Sequence, residues 1–168
     1  MENKINQAIE YATKKHEGQY RTGGKPYITH PLEVMNMLKE RNYDINYQLV
    51  GLFHDLLEDT DATEEEILNL SNDKVLEATK LLTKTKGYNM SDYIYKIKNN
   101  PIAKTVKAMD RLHNLRCAVE CNESFKIRYI KESLEWYLDF DKEILDAIII
   151  LNNTLDSPLE INNINNEK

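Results

Sequence analysis

The chain has 168 residues, of which 41% are hydrophobic and 30% charged, the profile of a globular domain large enough to bury a core. Acidic residues number 28 against 22 basic, a net charge of −6, and with no basic run this argues against a long nucleic acid as partner. No apolar segment approaches the roughly 20 residues that a bilayer span needs, and Met1-Glu2-Asn3-Lys4 leads into an amphipathic pattern unlike a signal peptide. A cytoplasmic location without a membrane partner is the expectation.

Apolar spacing predicts helices nearly throughout, with no convincing strand and no internal repeat: an all-α, single-domain multi-helix bundle over residues 1–155. Ile5, Ala8, Ile9 and Ala12 mark a first helix that Gly18 ends. A loop over residues 17–29 follows, carrying Gly18, Gly23, Gly24 and Pro26. Pro31 suits the first turn of a second helix, with Leu32, Met35 and Leu38 on its apolar face and His30 near its N-terminus. A third helix is expected from about 47 to 57. Thr63 and Glu66 have the spacing of a capping box, Asp73 is expected to cap the helix of Val75, Leu76 and Leu82, and Ser91 one over residues 92–98.

Asn99-Asn100-Pro101 breaks the pattern and restarts it as one long helix over residues 102–119. A last helix is expected from about 126 to 151, carrying Ile130, Leu134, Tyr137, Ile144, Ile148 and Leu151. Residues 156–168 read as a tail, its Asn162-Asn163-Ile164-Asn165-Asn166 run a biased, fraying segment. Cys117 and Cys121 are four apart on an expected helix, a spacing poor for a disulfide, and are expected as reduced core thiols.

Chemistry concentrates in Gly51-Leu52-Phe53-His54-Asp55-Leu56-Leu57-Glu58-Asp59-Thr60. The run is apolar enough to be buried, where an unpaired charge costs several kcal/mol unless a partner or cation compensates it. On one helix, His54 and Glu58, Asp55 and Glu58, and Asp55 and Asp59 would share a face. One imidazole and three carboxylates would then crowd a single cavity, a concentration of negative charge that a divalent cation relieves. A solvated helix end explains Glu58 and Asp59 equally well, but not His54-Asp55. With His30 upstream and Asp110 downstream, the set reads as one metal site. Asp110 edges a stripe of Val106, Met109, Leu112 and Leu115, with Asn114 four residues on.

The order His30, His54-Asp55, Asp110 resembles the HD superfamily of metal-dependent phosphohydrolases. Four blocks narrow the resemblance: His16-Glu17-Gly18-Gln19 with Arg21, Gly24-Lys25-Pro26-Tyr27-Ile28-Thr29-His30-Pro31-Leu32, His54-Asp55 with Glu58-Asp59-Thr60, and Asp110-Arg111-Leu112-His113-Asn114-Leu115. They are similar to the hydrolase domain of the RelA/SpoT family, and the length is similar to its small stand-alone alarmone hydrolases. The resemblance implies hydrolysis of (p)ppGpp at its 3′-pyrophosphate, with Mn²⁺ as the usual metal. It also implies His30, His54, Asp55 and Asp110 as ligands, Glu58 and Asp59 serving the attacking water, and Arg21 and Asn114 contacting the nucleotide.

Independently, two imidazoles and two carboxylates make a mixed nitrogen and oxygen shell that suits Mn²⁺ while leaving Fe²⁺, Co²⁺ and Zn²⁺ open. Which of Glu58 and Asp59 is the general base stays open as well. Arg21 and Lys25 flank the Gly23-Gly24 turn, and Lys107, Arg111 and Arg116 surround Asp110, offering a cationic rim for phosphate. Lys107 and Arg111, four apart, lead that set. Thr22 stands where the family commonly has lysine and Cys117 where it has threonine, which leaves open another nucleotide such as NADPH. A non-catalytic nucleotide-binding module is the reading from a different class. His16, His113 and Trp136 read as structural, and Tyr20 and Tyr27 as hydrophobic cover. A homodimer through the last helix is conceivable, though its apolar face suits its own core equally.

Overall fold

A computed structural model describes residues 2–161. Among the described residues are α1 (Glu2–Lys15), α2 (Thr29–Glu40), α3 (Ile45–Phe53), α4 (Leu56–Asp59), α5 (Glu64–Leu70), α6 (Asp73–Leu82), α7 (Met90–Lys98), α8 (Pro101–Cys117), α9 (Glu123–Trp136) and α10 (Glu143–Asn152). A short 3-10 turn, Ala118–Glu120, follows α8. The only extended pairing among them is an isolated bridge between Tyr20 and Pro26, so the fold is all-α as expected. None of the described helices is long and apolar enough to cross a membrane. The Asn162–Asn166 run lies outside the described residues.

Two compact units meet in sequence between Asp110 and Arg111, within α8. In the first, α3 is the central element: its second half is apolar, with Leu49, Val50, Leu52 and Phe53 buried, and it packs against α1, α2 and α6. Gly51 permits the close approach of α2, because a Cβ there would lie 2.7 Å from Leu38 Cδ1 and 3.3 Å from the Met35 nitrogen. In the second unit α9 packs on α10, and Arg111 is buried with its guanidinium 4.1 and 4.2 Å from the Tyr129 and Tyr137 ring centres.

The expected third helix, 47–57, is in fact interrupted at His54-Asp55. Its cause is local: His54 Nδ1 lies 2.7 Å from the Gly51 carbonyl, which only accepts, so the imidazole donates to an oxygen at the helix's last turn. The chain resumes as α4, with the Asp59 N–H on the Asp55 carbonyl. The expected last helix likewise divides into α9 and α10. Tyr137 and Phe140 turn into the core, and Asp141 caps the restart by accepting from the Glu143 N–H at 2.8 Å. Asn72 and Asn89 supply the caps assigned to Asp73 and Ser91, while the Thr63–Glu66 capping box forms as expected. Cys117 is exposed and Cys121 half-buried, both free, so they are not core thiols: the regular helix ends at Cys117 and turns Cys121 outward.

Gly51→Ala tests the α2–α3 contact. Alanine favours a helix by up to about 1 kcal/mol over glycine, but overpacking beside the buried Leu38 costs about 1–3 kcal/mol. A net loss of about 1 kcal/mol is expected in urea unfolding, and a gain would show that α2 yields freely.

Candidate metal centre

Three helix segments of the first unit deliver the site. His30, the second residue of α2, points its Nε2 to within 3.0 Å of Asp110 Oδ1 on α8. His54 closes α3 with its Nε2 3.0 Å from Asp55 Oδ2 and 3.6 Å from Asp110 Oδ1. His30 Nε2 is also 3.9 Å from Asp55 Oδ2, and the two imidazole rings meet edge to face with centres 5.2 Å apart. One donor atom each from His30, His54 and Asp110 lies within 4.8 Å of the others.

A divalent metal fits these donors. Because His54 Nδ1 is spent on the Gly51 carbonyl, Nε2 is the atom turned to the carboxylates. That nitrogen is buried and makes no well-directed hydrogen bond despite its near neighbours. Ligand bonds of about 2.0–2.2 Å place neighbouring donor atoms about 3 Å apart, the separations seen here. Asp55 stands beside the set, its Oδ2 3.0 Å from His54 Nε2 and 3.9 Å from His30 Nε2.

The electrostatics describe the same site from the proton's side. Burial opposes a charge on His54, yet Asp55 and Asp110 together hold its pKa well above the usual imidazole value. For His30, burial prevails over Asp110 and lowers the pKa. Burial would raise both carboxylates, but His54 pulls Asp55 down, and Lys107 with the two histidines pulls Asp110 well below the ordinary range. A proton on His54 therefore does part of what a cation would do.

Around this cluster, Glu58 Oε1 accepts from the Lys84 main-chain N–H at 2.6 Å. Burial, Asp55 and Glu58 push the Asp59 carboxyl up to about 6. Both carboxylates are exposed and sit on α4, beyond the break, where Glu58 still lines a cavity with His54 and Asp55. Lys107 Nζ is 2.8 Å from Asp110 Oδ2. Arg21 and Lys25 sit on the turn closed by the Tyr20–Pro26 bridge, where Gly23 and Gly24 take φ of 104° and 90°.

Arg111 corrects the expected rim. It is buried in the second unit, 2.7 Å from Glu132 and held between Tyr129 and Tyr137, so it does not pair with Lys107 as a phosphate-facing cation. Residues four apart on a helix differ by only about 40° in direction, yet burial of the guanidinium by aromatic faces decides the outcome. Asn114 and Arg116 belong to that unit too, with Arg116 3.7 Å from Glu143.

Three contributors were not foreseen. Tyr27, expected as hydrophobic cover, donates from its hydroxyl to Asp55 Oδ2 at 2.7 Å, and its own pKa is raised by burial and by Asp55. Gln19 links His16 Nδ1, at 2.8 Å, to the Asp59 carbonyl, also at 2.8 Å. Lys84 reaches Glu58 from the loop after α6. Gln19 and Tyr27 stand in the sequence blocks around His16 and His30, whereas Lys84 stands in none of them.

A family model described as HD domain matches residues 8–100, and the chain belongs to the HD-domain family. Within it the chain is of the RelA/SpoT hydrolase-domain type, in line with the four sequence blocks. It is 33% identical over 144 residues to a GTP pyrophosphokinase rsh of Brucella melitensis, covering 79% of this chain and 19% of that protein. It is 33% identical over 141 residues to a guanosine-3′,5′-bis(diphosphate) 3′-pyrophosphohydrolase of Aquifex aeolicus, covering 79% and 20%. The chain thus spans about a fifth of the length of these curated relatives. In fold it is similar to a solved metazoan ortholog of SpoT described as hydrolysing ppGpp, with a TM-score of 0.70 at 22% identity over 89% of this chain and 94% of that one. HD-domain membership implies a divalent metal, and His30, His54 and Asp110 can hold it.

Binding of that metal should release protons. His54 keeps its proton at neutral pH in the metal-free protein, since its pKa is raised, and the proton must leave for Nε2 to ligate. Affinity therefore rises with pH, by about tenfold per unit for one proton released, until the His54 pKa is passed. Calorimetry of Mn²⁺ binding in buffers of different ionisation enthalpy reads the proton count. Binding enthalpies independent of buffer would contradict the charge state described here.

Proposed function

We propose that the chain is a Mn²⁺-dependent phosphohydrolase acting in the cytoplasm on (p)ppGpp, removing its 3′-pyrophosphate to give GDP or GTP and pyrophosphate. The observation that carries this reading is the convergence of His30, His54 and Asp110 with Asp55, while two further carboxylates, Glu58 and Asp59, stand on the adjoining helix. Relatives of the same domain type, one named as a 3′-pyrophosphohydrolase of guanosine bis(diphosphate), support the choice of substrate.

In this reading His30, His54, Asp55 and Asp110 hold the ion. Bound there, a divalent metal lowers the pKa of water from 15.7 towards about 7 and offsets charge on a phosphoryl oxygen. Tyr27 fixes the orientation of Asp55 through its hydroxyl. Glu58, held by the Lys84 N–H, orients a water and takes its proton. The water oxygen forms a bond to the phosphorus attached at ribose O3′, and the bond between that phosphorus and O3′ breaks. Asp59, whose pKa of about 6 lets it carry a proton near neutrality, returns one to the leaving O3′. Arg21, Lys25 and Lys107 are the proposed nucleotide contacts.

Incubation of the purified protein with Mn²⁺ and ppGpp should yield GDP and pyrophosphate, separated by ion-exchange chromatography, and a chelator should abolish the reaction. Turnover of NADPH or another nucleotide alone would keep the metal site and reject the substrate. Tight binding without product would reject the enzyme. Glu58→Gln and Asp59→Asn are expected to lower kcat by about 10²–10⁴ with metal content retained, whereas His54→Ala loses both. Full activity in a Glu58→Gln, Asp59→Asn double variant would remove these carboxylates from the chemistry.

A further inference from the structure

A small cavity of about 40 Å³ opens beside the cluster, lined among others by His54, Asp55, Glu58, Lys84, Lys107 and Asp110. Three of those six are carboxylates, so an incoming phosphate meets repulsion there unless cations or a metal offset it. Two lysines are present, and they are differently engaged. Lys107 is in contact with Asp110 at 2.8 Å. The ammonium of Lys84 rests instead over the rings of Tyr88 and Tyr93, at 5.4 and 5.5 Å, and forms no ion pair among the described residues.

Local structure explains that placement. α6 ends at Leu82, and Gly87, at φ 77°, lets the chain reverse so that Tyr88 returns beside Lys84. Tyr93 is fixed by its hydroxyl on the Leu82 carbonyl at 2.9 Å. The main chain of Lys84 is held as well, its N–H on Glu58 Oε1 at 2.6 Å. Only the four-carbon stem is left to move, and an ammonium on such a stem is a mobile point charge suited to phosphate.

We propose that Lys84 is a phosphate-binding residue of this site, its ammonium leaving the tyrosine rings to take a phosphate group of the nucleotide while its main-chain N–H keeps Glu58 in place. The proposal rests on the phosphohydrolase reading and adds a residue to it. Its two functions are separable, because a side-chain substitution removes the charge and leaves the N–H to Glu58 intact. Charge loss should therefore appear in substrate binding and not in the chemical step.

Lys84→Met and Lys84→Arg, in the Mn²⁺-loaded full chain, test this against the parent. For Lys84→Met we expect KM for ppGpp to rise about tenfold or more and kcat to stay within about threefold, with inorganic pyrophosphate bound correspondingly more weakly in calorimetry. Lys84→Arg should restore most of the loss, and Tm should be unchanged in both. Unaltered KM and pyrophosphate affinity in Lys84→Met would overturn the proposal, and so would equal losses in both variants accompanied by a lowered Tm. Should Lys84→Met fail to fold, Lys84→Gln takes its place in the same comparison. If the parent protein turns over no ppGpp, the substrate reading falls, and the pyrophosphate measurement alone decides the role of Lys84.

Discussion

One hydrogen bond shapes this site more than any other: His54 Nδ1 to the Gly51 carbonyl. It takes an oxygen at the end of α3 out of the helical ladder, ends the helix at Phe53, and leaves the opposite ring nitrogen turned towards Asp55 and Asp110. The same residue that supplies the oxygen, Gly51, also lacks the Cβ that would push α2 and His30 away. Backbone geometry, helix spacing and imidazole orientation thus meet within a single turn of chain. A side chain at 51 or a different tautomer at 54 would disturb all of them together.

Much of this was legible in the sequence, and the reasons are specific. His54-Asp55 stood out because adjacent charges in an apolar run require compensation, and His30 and Asp110 were recognisable from the blocks around them. The expected single helix is broken at His54-Asp55, because spacing rules assume an uninterrupted ladder; even so Glu58 lines one cavity with His54 and Asp55, and Asp59 is not among its lining residues. Arg111 was misassigned for a related reason: i,i+4 spacing to Lys107 is local, whereas the aromatic faces of Tyr129 and Tyr137 and the carboxylate of Glu132 come from far along the chain. Lys84 had no signal at all. Its place depends on where the loop after α6 folds back, which is a matter of tertiary contact.

The division of labour along α8 illustrates how closely such roles can adjoin. Asp110 turns to the histidines and Lys107, and its neighbour Arg111 is anchored in the second unit. Successive helical residues diverge by about 100°, so adjacency in sequence is compatible with unrelated surroundings. A substitution at Arg111 would leave Glu132 without its partner, and its consequences belong to stability more than to the metal cluster.

Charge balance ties the site's parts to its proposed chemistry. Asp55 and Asp110 face each other's histidines, and in the absence of a metal their charge is met by a proton held on His54 and by Lys107. A divalent ion supplies two positive charges where that proton supplied one, which frees part of the local positive charge for an anionic substrate. Glu58 and Asp59 are more exposed, on the separate α4, yet Asp59 still feels the charge of Asp55. Burial and the negative charges of Asp55 and Glu58 push Asp59 up to about 6, while Asp55, in contact with the histidines, is driven down. Two carboxylates four residues apart thereby acquire opposite protonation behaviour, because Asp55 touches an imidazole and Asp59 meets burial and two like charges instead.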